Sequence, residues 1–351
     1  MLARGESMRI RSGLILLNIL RGYFMVVNQY ASILSAGFWK SFWITMRPYL
    51  IFVSGAAGLV GLAFIEDPEV ARIALAFIPL FLSYGLGQAL TDCFQMDTDA
   101  ISSPYRPLIK GMISRKQVLR VSLGGLALGI LIMSYLNPKI LILGILAVAG
   151  LLTYTKFKRT WWGGPFWNSC IVALLPIMGR MVDREYQVQA IVSSGESYSL
   201  AFPFAVLTVF FGYANFVVIG YLKDITADRK TGYMTFAVVF GWLPTVIYSD
   251  ITALVAAFLT GLTLYFIGSY SILGIGFFIL AVVVNLRAQI RIHQVRDEKK
   301  AHGPISNVVR AFILYSAAII VSLKLEWMIF LAIFYLLFEI TLKSRPEERQ
   351  V

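Results

Sequence analysis

The chain has 351 residues, 58% of them hydrophobic and 14% charged, with a mean hydropathy of +0.74. A soluble domain carries about 25% charged residues, so this composition excludes a soluble enzyme and indicates a polytopic membrane protein. The net charge of +12 sits in short connections between apolar runs, which follows the positive-inside rule and not nucleic-acid binding, and two cysteines and two histidines without metal-ligand spacing exclude a disulfide framework, a zinc site and His-based triads.

Residues 1–40 begin with Arg4, Arg9 and Arg11 ahead of the apolar run Leu14 to Leu20. This resembles the start of a signal peptide, but Arg21, Tyr23, Phe24 and Met25 follow where small residues would mark cleavage. Residues 12–36 are therefore expected to be a retained interfacial or buried helix, with a signal anchor as the alternative. Apolar stretches long enough to span a bilayer as helices, about 17 to 25 residues, then recur near 44–65, 71–96, 116–135, 138–155, 164–182, 200–221, 245–267, 270–289, 307–323 and 326–342.

Lys and Arg concentrate in alternate connections: Arg106 to Lys116, Lys156 to Arg159, Lys223 to Lys230, and Arg287 to Lys300. The intervening connections hold Glu66, Asp67, Glu69, Asp183, Glu185 and Glu196 instead. The asymmetry predicts that the basic connections and both termini face the cytoplasm.

Two acidic runs stand out, Thr91 to Asp99 and Asp224 to Asp228. Carboxylates at the ends of apolar spans are costly unless a cation, water or a partner offsets them, so they mark a functional site by default. Four predicted spans separate the runs, an even number, which places both on one face of the membrane. On a helix, with about 100° per residue, Asp92, Gln95 and Asp99 share a face, Asp97 points elsewhere, and Asp224 and Asp228 share another. Opposed across a cavity, two such faces would repel unless magnesium bound them. The competing explanation is a solvated helix end with Lys and Arg partners.

Around the runs stand Arg106, Lys110, Lys223, Arg229, Lys230 and Gly232, donors suited to phosphate oxygens. Magnesium and a diphosphate beside a tunnel lined by Phe, Leu and Ile is the environment in which a prenyl diphosphate ionises, with the metal acting as Lewis acid and aromatic faces shielding the allylic cation.

The motifs resemble those of the UbiA superfamily of intramembrane prenyltransferases. Its first signature, Asn-Asp-x-x-Asp-x-x-x-Asp, corresponds to Thr91-Asp92-Cys93-Phe94-Gln95-Met96-Asp97-Thr98-Asp99, followed by Ser103-Pro104-Tyr105-Arg106-Pro107. The second, Asp-x-x-x-Asp-x-x-x-Gly, corresponds to Asp224, Asp228 and Gly232 with Lys223 ahead. Tyr154, Lys158 and Arg159 match a third, Tyr-x-x-x-Lys-Arg, with Asn168 downstream, and Arg47-Pro48 also resembles the family. Thr91 stands where Asn is usual and Gln95 where Asp is usual, so one carboxylate and one amide are missing; the Gln95 carbonyl oxygen can still ligate.

The resemblance implies an all-α integral membrane protein, a nine-transmembrane-helix bundle around a central cavity over residues 41–325. Residues 326–351 would add a C-terminal transmembrane helix and tail. It further implies Mg2+ held by Asp92, Gln95, Asp99, Asp224 and Asp228, of which the four aspartates are the catalytic candidates. Diphosphate would meet Arg106, Lys110, Lys223 and Arg229, and Arg47, Thr91, Tyr154, Lys158, Arg159 and Asn168 would hold acceptor or diphosphate. The expected activity is transfer of a prenyl group from its diphosphate to an aromatic ring or a lipid hydroxyl. The alternatives are cyclisation of the prenyl diphosphate alone, or a transporter, which would instead place its acids near the bilayer midplane.

Overall fold

The computed structural model describes residues 30–66, 69–183, 197–268 and 271–345. Most of the helix expected over 12–36 lies outside the described residues. The first described helix, α1 (Ala36–Met46), is capped by Ser35 Oγ accepting from Phe38 N and ends at Arg47, which adopts a left-handed φ of 53° before Pro48. Beyond this corner come a 3-10 turn and α2 (Ile51–Ala63), and the two segments meet at a bend of 51°. The single span expected over 44–65 is therefore the second arm of a bent pair.

The remaining long helices are α3 (Val70–Asp92), α5 (Arg115–Leu136), α6 (Ile140–Lys158), α7 (Gly163–Arg180), α8 (Ser197–Gly220), α11 (Trp242–Ile267), α12 (Ile272–Gln294), α13 (His302–Leu323) and α14 (Met328–Lys343). Short helices α4 (Met96–Ser102), α9 (Ile225–Lys230) and α10 (Phe236–Phe240) lie in the connections. Among the described residues eight helices are long and apolar enough to cross a membrane, nine if the bent pair counts as one span. Helix α7 occupies the expected fifth span with 18 residues, but its window is less apolar because it carries Asn168, Ser169 and two prolines, and Asn168 lines the central cavity.

At the centre, α2 is buried along its whole length against α3, α7 and α13. Small residues let backbones approach closely where lipid supplies no hydrophobic drive. A Cβ on Gly61 would lie 2.0 Å from the Pro176 carbonyl oxygen, and one on Gly179 2.6 Å from that of Gly58, so α2 and α7 touch through glycine. Between α8, α11 and α12 the contact is polar: Asn215 Nδ2 donates to Ser249 O and Oγ at 2.8 Å each, Ser249 Oγ to Gln289 Oε1 at 3.0 Å, and Gln289 Nε2 to Asn285 Oδ1 at 3.1 Å. Buried side-chain donors in an apolar slab need such internal partners.

The last helix, α14, packs Phe334 edge-to-face on Phe52 (ring centroids 4.9 Å) and on Phe81 (6.0 Å), and Glu339 accepts a two-armed ion pair from Arg310 of α13.

Candidate active site

Helix α3 ends at Asp92, earlier than the continuous helix expected over 71–96. The amides of Cys93, Phe94 and Gln95 turn back to the carbonyls three residues before them, at 3.2, 2.9 and 3.2 Å, and α4 then starts at Met96. The shared helical face expected for Asp92, Gln95 and Asp99 is therefore broken by this corner. Gln95 and Asp99 nonetheless both line one cavity, while Asp92, 2% exposed, lies behind it. The second run is likewise a corner: Asp224 precedes α9 and accepts the Asp228 amide at 2.8 Å.

The two runs meet. Thr98 Oγ1 donates to Asp228 Oδ1 at 3.2 Å, and Lys158 Nζ donates to Gln95 Oε1 at 2.9 Å while lying 3.8 Å from Asp228 Oδ1. Both acidic runs therefore lie on one side of the helix bundle, as the even span count predicts.

Each acid has a base beside it. Arg47 Nη2 bridges both oxygens of Asp92 at 3.0 and 3.3 Å, and Gln88 Nε2 adds a bond at 2.6 Å. Arg106 pairs closely with Asp99 and lies 3.6 Å from Asp92. Lys223 holds Asp224 at 2.7 Å, Lys158 faces Asp228, and Arg159 holds Asp97 at 2.8 Å. Five carboxylates therefore face five cations, and for the four pairs other than the exposed Asp97–Arg159 this is how largely buried groups escape the cost of unpaired charge.

Burial pushes the Asp99 carboxyl above the usual range despite Arg106, and it does the same to Asp228 despite Lys158. For Asp224 burial also acts upward, but Lys223 and Lys158 outweigh it and hold the group below the ordinary carboxylate range. Arg106 is held above its ordinary value, because Asp99 and Asp92 outweigh the penalty of burial.

The cluster crowns a cavity of about 650 Å3. Arg47, Thr91, Gln95, Asp99, Arg106, Lys158, Lys223 and Asp224 line its charged end, and Tyr154 and Asn168 lie just beneath. Its walls continue into Leu82, Leu86, Leu151, Val172, Leu175 and Met178, and the half-exposed Trp39 and Trp43 of α1 also line it. Five of the residues expected here are outside the cavity lining: Asp228, like Asp92, is buried behind it, and the other three stand elsewhere. Lys110 and Arg229 are exposed and outside the cavity lining, and Arg159 is turned outward to Asp97 and over the Tyr233 ring at 4.5 Å. Asp97 points away from the other acids, as the helical phase indicated, and also accepts from Tyr233 Oη at 3.2 Å.

Sequence reasoning did not single out Gln88, Thr98, Tyr233, Tyr84 or Tyr213. Helical spacing carries a signal for the last two: Tyr84 shares a face of α3 with Gln88 and Thr91, and Tyr213 a face of α8 with Phe216, Val217 and Gly220, all of which line the cavity. Thr98 and Tyr233 act across long separations that no spacing reveals.

Magnesium fits these residues in a restricted way. Among the described residues no three His, Cys, Asp or Glu converge to form a protein-only metal site. Hard oxygen donors are present on both walls, however, and Asp228 Oδ2 is buried with no hydrogen-bond partner. Magnesium commonly takes one or two carboxylates and completes its shell with substrate phosphates and water, and that requirement these walls can meet.

The fold has known counterparts. A solved structure of a UbiA homolog from Aeropyrum pernix K1 in its apo form superposes with a TM-score of 0.65 at 20% identity, covering 77% of this chain and 96% of that one. A UbiA homolog from Archaeoglobus fulgidus, bound to GPP and Mg2+, superposes at 0.59 with 16% identity over 80% and 99%. In sequence, the digeranylgeranylglyceryl phosphate synthase of Pyrococcus abyssi is 26% identical over 209 residues, 58% of this chain and 69% of that protein. The protein of the same name from Methanothermobacter thermautotrophicus is 29% identical over 233 residues, 65% and 77%. The model of the UbiA prenyltransferase family matches residues 49–314, from just beyond the corner at Arg47 into α13 and including both acidic corners. The arrangement of paired acids over an intramembrane cavity thus has its family: this chain is a member of the UbiA prenyltransferases.

Proposed function

We propose that this prenyltransferase moves a prenyl group from its diphosphate to the hydroxyl of a lipid acceptor, with magnesium, at a site on the cytoplasmic face. The observation that carries the reading is the charge-matched cluster of both acidic corners at one end of an apolar cavity. Several relatives named digeranylgeranylglyceryl phosphate synthase support a glyceryl phosphate lipid as acceptor and a geranylgeranyl donor. The basic connections support the cytoplasmic placement.

A diphosphate entering the charged end would take over the arginines and lysines now held by carboxylates. Arg47, Arg106, Lys158 and Lys223 are the cavity-lining cations, and they would meet the negative charge that builds on the diphosphate as the bond to C1 breaks. Asp99, Asp224 and Asp228, with the Gln95 carbonyl oxygen, are the residues for the metal, and magnesium when bound would supply Lewis-acid stabilisation of the leaving group. Asp92, away from the cavity lining, keeps Arg47 and Arg106 aimed inward. The prenyl tail would lie along Leu86, Leu151 and Val172, and the ring face of Tyr154 would screen the allylic cation.

Purified protein incubated with magnesium and geranylgeranyl diphosphate, with and without a glyceryl phosphate bearing one geranylgeranyl ether, tests the reading by released diphosphate and by product mass. Asp99→Ala and Asp228→Ala should abolish release while leaving the fold intact; full activity in either would end the assignment. A terpene formed without acceptor would assign a cyclase instead.

A further inference from the structure

Beneath the charged end the cavity carries a group of hydroxyls in otherwise apolar walls. Tyr213 Oη accepts from Asn168 Nδ2 at 3.2 Å and donates to Tyr84 Oη at 3.2 Å. Tyr84, Asn168 and Tyr213 come from α3, α7 and α8, and all three line the cavity. Tyr154 of α6 stands nearby, one helical turn or about 6 Å from Lys158 along its helix. Tyr221 Oη, also at the cavity, is buried and lacks a partner in ordinary hydrogen-bond geometry. Close packing keeps its place: a Cβ on Gly164 would lie 1.8 Å from that oxygen.

A phenol oxygen has one proton and can accept two hydrogen bonds. At Tyr213 the proton is committed to Tyr84 and one lone pair to Asn168, so one acceptor position is left, in a cavity where few polar groups can use it. On the proposed reading the charged end would hold the diphosphate, and C1 of a prenyl donor would then fall at the next level down, where these hydroxyls lie. Apolar pockets with a few placed polar groups owe their specificity to those groups.

We infer that Tyr213, oriented by Asn168 and Tyr84, forms a hydroxyl-binding subsite that seats the attacking alcohol of the acceptor. The inference rests on the transferase reading and adds to it the place where the nucleophile is held. The acceptor's O–H donates to the remaining position on Tyr213 Oη, which leaves a lone pair of its own oxygen to face C1. The C1–O bond to diphosphate breaks, with its electron pair leaving on the diphosphate. The acceptor oxygen's lone pair forms the new C1–O ether bond, and the hydroxyl proton, held by Tyr213 Oη during attack, ends on the released diphosphate.

The test is partition of the allylic cation. With magnesium, geranylgeranyl diphosphate and the mono-geranylgeranyl glyceryl phosphate as probes, released diphosphate, ether and geranylgeraniol are measured together for wild type and for Tyr213→Phe. One lost hydrogen bond to the acceptor should raise its KM, or lower the ether-to-alcohol ratio, by about tenfold, while diphosphate release stays within about threefold. A folded Tyr213→Phe with unchanged ratio and KM overturns the subsite, and so does one that releases no diphosphate, because the hydroxyl would then serve ionisation. Should Tyr213→Phe fail to fold, Asn168→Ala is judged on the same two readings. Wild-type protein that releases no diphosphate overturns the transferase reading itself, whereas release with a wild-type-like partition in the variant removes only the subsite.

Discussion

Thr98 Oγ1 lies 3.2 Å from Asp228 Oδ1, a contact across 130 residues that joins the helix after the first acidic corner to the helix after the second. Asp228 is fully buried and its other oxygen has no partner. Thr98→Val removes the one neutral donor to a buried carboxylate and leaves Lys158 at 3.8 Å as its remaining support. Losing a hydrogen bond to a charged buried group costs about 1.5–3 kcal/mol. Thermal unfolding in detergent should show this loss for Thr98→Val and little for Thr98→Ser, which keeps the hydroxyl.

Gln95 is the clearest departure from the usual acidic pattern. It accepts from Lys158 Nζ at 2.9 Å and lines the cavity, so Gln95→Asp would place a further carboxylate at the charged end without changing the chain path. The magnesium concentration that half-saturates diphosphate release should fall by about tenfold, equal to about 1.4 kcal/mol. An unchanged or higher requirement would show that position 95 contributes nothing to the metal.

The acids also divide by burial. Asp97 is exposed and pairs with the exposed Arg159, whereas Asp99, two residues on, is 5% exposed and pairs with the buried Arg106. Exposed pairs contribute about 0–1 kcal/mol. Asp97→Asn should therefore shift stability by less than about 1 kcal/mol and leave turnover near wild type, while Asp99→Asn abolishes it. Parallel assays of diphosphate release decide this, and equal loss in both variants would contradict the division.

These distinctions mark how far the sequence could be read. Hydropathy placed the helices, because spans must be about twenty apolar residues long, and the even count between Asp92 and Asp224 put both corners on one and the same face. The break after Asp92 was not legible: Cys93-Phe94-Gln95 contains neither Gly nor Pro, and the turn comes from short-range bonds that tertiary contacts select. Arg47 was visible only as a motif residue. Its left-handed φ of 53° is a conformation that costs a non-glycine residue, and the two bonds to Asp92 offset that cost. Lys110 and Arg229 show the opposite failure, since closeness in sequence to an acidic run did not bring either side chain to the cavity.

The pair between Arg310 and Glu339 offers the sharpest test of how α14 is held. Arg310 Nε and Nη2 reach the two Glu339 oxygens at 2.6 and 3.0 Å, and Arg310 Nη1 donates to Asn307 Oδ1 at 2.9 Å. The side chains are 24% and 18% exposed, between helices that are otherwise apolar. Removing one partner of such a pair leaves an uncompensated charge, at a cost of up to about 3–5 kcal/mol when fully buried, and somewhat less here because of the remaining exposure. Replacing both by apolar residues of similar size removes the desolvation penalty along with the attraction, and is often neutral or stabilising. Glu339→Leu should thus lower the unfolding temperature in detergent clearly, and Arg310→Met combined with Glu339→Leu should recover most of that loss. A double variant as unstable as the single one would mean that α14 depends on the ion pair itself, and not on the packing of Phe334 against Phe52 and Phe81.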